Sequence, residues 1–157
     1  MTTKEILAVE FEIIKKELII KHNQLKMKSS GNWENSLNIV ITGNNDLTIA
    51  KLYGENYTEQ LVFGRKPGAF PPIKAIEQWI IDKGIAGIGK QIKVSSLAFL
   101  IARKIANEGT KYFKQGGTDL VTSVITPQKI QSIIDKVREL NITYITNGLI
   151  EQLKAVA

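Results

Sequence analysis

Apolar residues follow two different periods along this chain, and the switch between them marks out its elements. Leu7, Phe11, Ile14, Leu18 and Leu25 recur at helical spacing, flanked by Ile6, Val9, Ile13 and Ile20. That pattern predicts a helix over residues 3–27, with Glu12, Lys15, Lys16 and Glu17 on its polar side. His22 falls on the Leu18 to Leu25 side, where a packed or edge-facing imidazole is expected rather than a catalytic base. Polar turn formers from Ser29 to Ser36 end the helix in a loop. From Leu37 the period becomes two. Leu37, Ile39 and Ile41 alternate with Asn38, Val40 and Thr42, and Leu47, Ile49, Lys51 and Tyr53 alternate with Thr48, Ala50 and Leu52. Gly43-Asn44-Asn45-Asp46 between the runs tolerates positive φ, so a β-hairpin is predicted. Two strands alone are marginal in water and must pack against helices or pair with another chain.

Tyr57 to Phe63 reads as a third extended piece or a short helix. After Pro72 the spacing of Ile73, Ile76 and Ile80 predicts a helix over residues 72–83, stopped by Gly84. Trp79 shares the face of Ile76 and Ile80, which predicts its burial against the hairpin. A glycine-rich connection follows. Ser95 or Ser96 then caps a helix bearing Leu97, Leu100, Ile101, Ile105 and Phe113, which runs to Gly116-Gly117. Thr126-Pro127 opens a fourth helix with Ile130, Ile133, Ile134, Val137 and Leu140 as its buried stripe. The β-branched stretch "NITYITNG" predicts a break, with helix resuming over residues 147–156. The expected fold class is α+β: a long N-terminal helix, an antiparallel sheet built on one hairpin, then three or four helices packed on it. At 157 residues the chain fits a single domain, 1–157.

Composition narrows the function classes. Apolar residues make up 43% and charged residues 23%, which reads as globular, and no apolar run is long enough to cross a bilayer, so no membrane partner is expected. The first twenty residues mix acids among apolar positions, unlike a secretion signal. Cys is absent and His22 is the single imidazole, so disulfides, thiol nucleophiles and thiolate metal sites are excluded, and neither metal nor cofactor is expected. The net charge of +6 is unevenly placed. Residues 32–63 carry Glu34, Asp46, Glu55 and Glu59 against Lys51, while residues 64–114 carry ten Lys or Arg against Glu77, Asp82 and Glu108. Opposed segments of this kind suit docking one copy's acidic face on another's basic face, or binding nucleic acid through the basic part.

Three motif matches fail on context. Gly84 to Lys90 imitates a phosphate-binding loop, but Gln91 stands where a magnesium-holding Ser or Thr belongs, and a helix precedes it where a strand is required. Asn56-Tyr-Thr and Asn141-Ile-Thr spell glycosylation acceptors without an export signal. The helix with Trp79 and the helix with Arg103 and Lys104 are joined by a turn too long for a helix-turn-helix. No nucleophile, base and acid grouping is apparent, so no catalytic residue is assigned and no enzyme is expected.

The stretch "FGRKPGAFPP", Phe63 to Pro72, is the most informative. Gly64 and Gly68 permit backbone angles closed to other residues, while Pro67, Pro71 and Pro72 fix φ. A stiff projecting loop results, displaying Arg65 and Lys66 to carboxylates or phosphates with little ordering cost. Gly64, Arg65, Lys66, Pro67, Gly68, Phe70 and Pro71 are therefore the expected partner-binding residues.

With "SGNWENSL" entering the hairpin, "YGENYTEQLVFGRKPGAFPP", "IKAIEQWIIDKGI" and "LAFLIARKIANEGTKYF", the chain resembles the tail-completion or head-tail connector proteins of tailed bacteriophages. The resemblance covers residues 1–115 and rests most on Tyr57, Phe63, Gly64, Arg65, Pro67, Gly68, Trp79 and Lys83-Gly84, leaving 116–157 as a helical extension. It implies a non-enzymatic virion protein forming a homo-oligomeric ring at the neck, made in the host cytoplasm, with portal, adaptor or tail proteins as partners. A ring needs one face of a subunit to fit a different face of its neighbour. Lys90, Lys93, Arg103 and Lys104 are then expected to contact a neighbouring subunit or packaged DNA in the channel, without reading sequence. The alternative is a small basic protein that binds nucleic acid regardless of sequence outside any virion.

Overall fold

The computed structural model describes residues 1–44, 47–85 and 92–156. Helix α1 spans Thr3–Gln24 and begins with a capping box: the Thr2 hydroxyl accepts from Glu5 N, and the Glu5 carboxylate accepts from Thr2 N. The loop expected over residues 29–36 holds a short helix, α2 (Asn32–Ser36), entered through Gly31 at φ 84°. Strands β1 (Asn38–Gly43) and β2 (Thr48–Tyr53) form the expected antiparallel hairpin, pairing Ile39 with Leu52 and Ile41 with Ala50. Its turn residues Asn45 and Asp46 lie outside the described residues. Helices α3 (Thr58–Phe63), α4 (Ile73–Asp82), α5 (Val94–Glu108), α6 (Lys111–Lys114) and α7 (Pro127–Val156) complete the chain.

Two small cores result among the described residues. In the first, Ile14 and Leu18 of α1 meet Met27, Trp33, Leu37, Leu120 and Val124, with Leu52, Leu61, Val62 and Ile133 around them. Trp33 brings a polar group into this core and satisfies it: its indole N–H donates to Thr58 Oγ1 at 2.9 Å, and that hydroxyl donates to Glu55 O at 2.6 Å. The hairpin lays its Ile39, Ile41, Ala50 and Leu52 side on α1, leaving Ile49 and Tyr53 exposed. Helix α7 lies antiparallel to α1, tied by the Lys129–Glu17 pair and by Lys136–Glu10 at 2.5 Å.

The second core lies between α4 and α5, where Ile76 and Ile80 sit on Ala98 and Ala102. The small side chains of Ala98 and Ala102, one turn apart, let Ile76 and Ile80 pack down onto α5, and the stripe continues to the buried Ala106. This packing corrects the expectation for Trp79. It remains 40% exposed because α4 turns Ile76 and Ile80 to α5 and not to the hairpin.

Three expected boundaries also move. Helix α5 starts after Lys93 with no side-chain cap and stops at Gly109, φ 77°; Phe113 belongs to the separate α6, capped by Thr110. The break expected in "NITYITNG" is absent, and α7 is one helix of 30 residues. Strand propensity in that stretch has no neighbouring strand among the described residues to pair with, and each residue added to a formed helix gains a backbone hydrogen bond.

Truncating Ile80, fully buried between α4 and α5, to Ala is expected to cost about 2–5 kcal/mol. Trp79→Ala is expected to cost clearly less than the roughly 3–5 kcal/mol of a buried aromatic. Denaturant titration of both variants checks the order.

Candidate functional site

The segment from Gly64 to Pro71 runs alongside α5 toward that helix's start. Thr110 N donates to Arg65 O at 2.9 Å and Arg65 N donates to Thr110 Oγ1 at 2.9 Å, a reciprocal pair that pins the segment at one end. Further along, Gly68 N donates to Ala106 O at 2.8 Å. Phe70 then stacks on Phe99, with ring centroids 5.9 Å apart and planes 27° from parallel. Gly64 is required here: at φ 74°, a Cβ would stand 2.1 Å from Phe113 N. Gly109 meets the same crossing from the other side, 2.9 Å from Arg65 O by the same measure.

The fixed backbone turns Lys66, Pro67, Gly68 and Phe70 outward, and Gly64 and Arg65 are partly buried. Pro71 departs from the expected partner-facing set. It is buried, because the chain must pass inward to start α4. The Arg65 guanidinium curls back, with Nη2 3.4 Å from Ala69 O and 3.5 Å from Phe70 O, so it braces the loop weakly.

Helix α5 adds the rest of the surface. Beside its alanine stripe Phe99 and Arg103 form one column, and opposite it Leu100 and Lys104 form another, each pair one turn apart. Phe99 and Leu100 are 46% and 42% exposed, and with Ser95 and Ser96 they line an open hollow of about 380 Å³. Lys93, Arg103 and Lys104 are exposed, and neither they nor Lys66 form an ion pair among the described residues. Lys90 lies outside the described residues. Loop and helix thus form one surface, with Phe70 on Phe99 at its centre and cations around it. Such a face suits a protein partner with apolar and acidic groups, or a phosphate backbone.

Sequence reasoning named Leu100 among the apolar residues of this helix without assigning it a face, and passed over Phe99. The available signal was Ala98, Ala102 and Ala106: the small residues mark the contact face, and the large ones beside them are left out.

A buried ionisable cluster lies elsewhere. His22, 3% exposed, stacks on Trp33 with centroids 4.4 Å apart, and its Nδ1 is 3.4 Å from Glu34 Oε1, although neither atom gains a hydrogen bond. Glu34 Oε2 meets Lys28 Nζ at 3.0 Å. Burial lowers the His22 pKa, Glu34 opposes this, and the Lys83 and Lys28 charges add to the lowering. For Glu34, burial works upward, yet Lys28, helped by His22 and Asn23, outweighs it and holds the carboxyl below its usual range. Glu34 is therefore committed inside the subunit, which weakens the acidic segment as a docking face. Glu55 and Glu59 remain, and Asp46 lies outside the described residues.

No known family model, no curated protein and no solved structure matches the chain.

Thr110→Val removes the acceptor of Arg65 N and is expected to cost about 1–3 kcal/mol in denaturant titration. The His22 cluster predicts a pH dependence. His22 binds its proton less readily when folded, so the unfolded chain takes up protons first and stability falls as pH drops below about 6.5. The slope from this one group is at most about 1.4 kcal/mol per pH unit. Glu34 adds stability above its ordinary carboxylate range that is lost as pH falls further, through its lowered folded pKa. Melting curves of His22→Phe between pH 5 and 7 should be flatter than those of the parent chain.

Proposed function

We propose that this chain is a structural subunit that assembles with copies of itself into a ring at the head-tail junction of a tailed bacteriophage, as a connector or tail-completion protein. The observation that carries the reading is the Lys66 to Phe70 projection, held by the Gly68 N to Ala106 O hydrogen bond on α5 and the Arg65–Thr110 pair beyond it, and joined to Phe99. A preformed projection binds with little ordering cost, which is what a repeated subunit contact needs. The resemblance in Tyr57, Phe63 to Gly68, Trp79 and Lys83-Gly84 supports the same reading. Phe63, Phe70, Trp79 and Phe99 are each at least 40% exposed, and exposed aromatics are typical of contact surfaces. In the ring, this face meets acidic groups such as Glu55 and Glu59 of a neighbour, or the portal, adaptor or tail proteins on either side, with packaged DNA passing within.

A second reading is kept because Lys66, Lys93, Arg103 and Lys104 are exposed. It is sequence-independent nucleic-acid binding by the free protein, with Phe70 and Phe99 as stacking platforms.

Replacing Lys66 with Glu together with Arg103→Glu is expected to change stability by no more than about 0.5 kcal/mol. The same double variant should no longer form rings by electron microscopy or enter particles. Normal incorporation would contradict the ring reading. A salt-steep affinity of the parent monomer for unrelated duplexes, with no ring at any concentration, would favour the second reading.

A further inference from the structure

Helix α7 carries an apolar stripe that the rest of the described chain leaves open. Ile130, Ile134, Ile142, Ile145, Leu149 and Leu153 range from 46% exposed at Ile134 to 71% at Leu153. Their steps of four, eight, three, four and four residues keep them on one face, and Arg138 occupies the middle of the long step. The opposite side of α7 is used within the chain. Ile133, Val137 and Leu140 are partly buried, and Lys129 and Lys136 pair with Glu17 and Glu10 of α1. Each of these pairs is seven residues from the other, in opposite directions along the two helices. One further step puts Thr3, the start of α1, level with Thr143. Beyond that point no described residue of the chain covers α7 for about 20 Å, and every residue from 141 to 150 is exposed.

We propose that a second copy of this chain covers the stripe, by antiparallel pairing of two α7 helices about a twofold axis between residues 141 and 142. The stripe is matched to its own reverse. About that axis Ile130 meets Leu153, Ile134 meets Leu149, and Asn141 meets Ile142. Arg138 meets Ile145, so the two Arg138 side chains lie about 10 Å apart along the axis. Each stays beside Asp135 of its own helix, 3.1 Å away. Parallel pairing in register would instead set Arg138 against Arg138, a like-charge contact.

The antiparallel arrangement also accounts for the lone half of α7: each overhang lies along the half of its partner that is attached to the body. At about 60–120 Å² per buried aliphatic side chain, six of them remove roughly 400–700 Å² per copy, near the lower edge of a standard interface. The pair is therefore reversible by dilution. A membrane surface does not fit the stripe, because a surface-lying helix needs a cationic flank, and residues 141–155 carry one cation, Lys154, and one acid, Glu151. The contact is isologous and closes at two copies, so it goes beyond the ring reading and stands without it.

The absence of Cys makes the test direct. Ile142→Cys, Ile134→Cys and Leu149→Cys are prepared as single variants, each checked for an unchanged melting temperature, and treated with a short bifunctional maleimide. Ile142→Cys should cross-link to itself, and an equimolar mixture of Ile134→Cys with Leu149→Cys should give the mixed dimer. Leu149→Cys alone should not cross-link, because its two copies lie about 20 Å apart. Self-cross-linking of Leu149→Cys without the mixed product would mean parallel packing and overturn the proposal. A monomer by sedimentation up to about 100 µM, with no cross-link, would also overturn it and leave the stripe to a different protein. Intact dimers that never form rings would contradict the ring reading alone.

Discussion

The reciprocal hydrogen bonds between Arg65 and Thr110 join what are otherwise two separate small cores. One core is built on α1, Trp33 and the segment after α6, and the other lies between α4 and α5. Neither is large, and the stretch from Gly64 to Gly68 is where the chain passes from one to the other. The crossing is close enough that the backbone itself is the contact, which is why glycine stands at 64 and at 109. A second tie, from Lys83 Nζ to Lys26 O at 2.8 Å, holds the far end of α4 to the turn after α1. The same bonds that connect the cores also fix which side of the Arg65 to Phe70 segment faces out. Structural integrity and the candidate contact surface thus depend on one short piece of backbone.

Periodicity read from single elements was enough to recover the helix at the start, the hairpin, α4 and the start of α7. Thr126 caps α7 as its position suggests, with its hydroxyl accepting from Lys129 N at 3.2 Å. What could not be read was which face meets which neighbour. Trp79 and Ile80 are adjacent in sequence and both apolar, yet Ile80 is fully buried and Trp79 is 40% exposed. The difference lies in α5, whose alanines accept a branched aliphatic side chain at short range. His22 was legible as a packed imidazole, but its stacking on Trp33 depended on α2, a short helix hidden in a polar, loop-like stretch. The projecting loop was legible because glycine and proline constrain the backbone locally. Its alignment with Phe99 was not, since that requires the 45-residue return of the chain from Arg65 to Thr110.

Among the described residues, large apolar side chains remain exposed in groups that include Ile49 and Tyr53 on the outer side of the hairpin, Val9, Ile13 and Ile20 on α1, Phe70 with Phe99 and Leu100 beside the loop, and the stripe on α7. Scattered exposed apolar residues are ordinary, but grouped ones on regular elements mark contact surfaces. Their distribution over different sides suits a protein whose folded state is finished by assembly. The loop surface is cationic and suits an unlike partner face, whereas the α7 stripe is nearly uncharged and matches its own reverse.

Hydrogen exchange at residues 144–156, followed as a function of protein concentration, addresses the central claim most directly. Half of α7 extends past α1 with no described part of its own chain beside it, so under the proposed α7 pairing its protection comes from the partner copy. The account predicts fast exchange there in dilute protein and progressive slowing as concentration rises, while the amides of α1 and α5 stay constant. Protection of residues 144–156 that is already complete in dilute monomer, or fast exchange that no concentration slows, would contradict it.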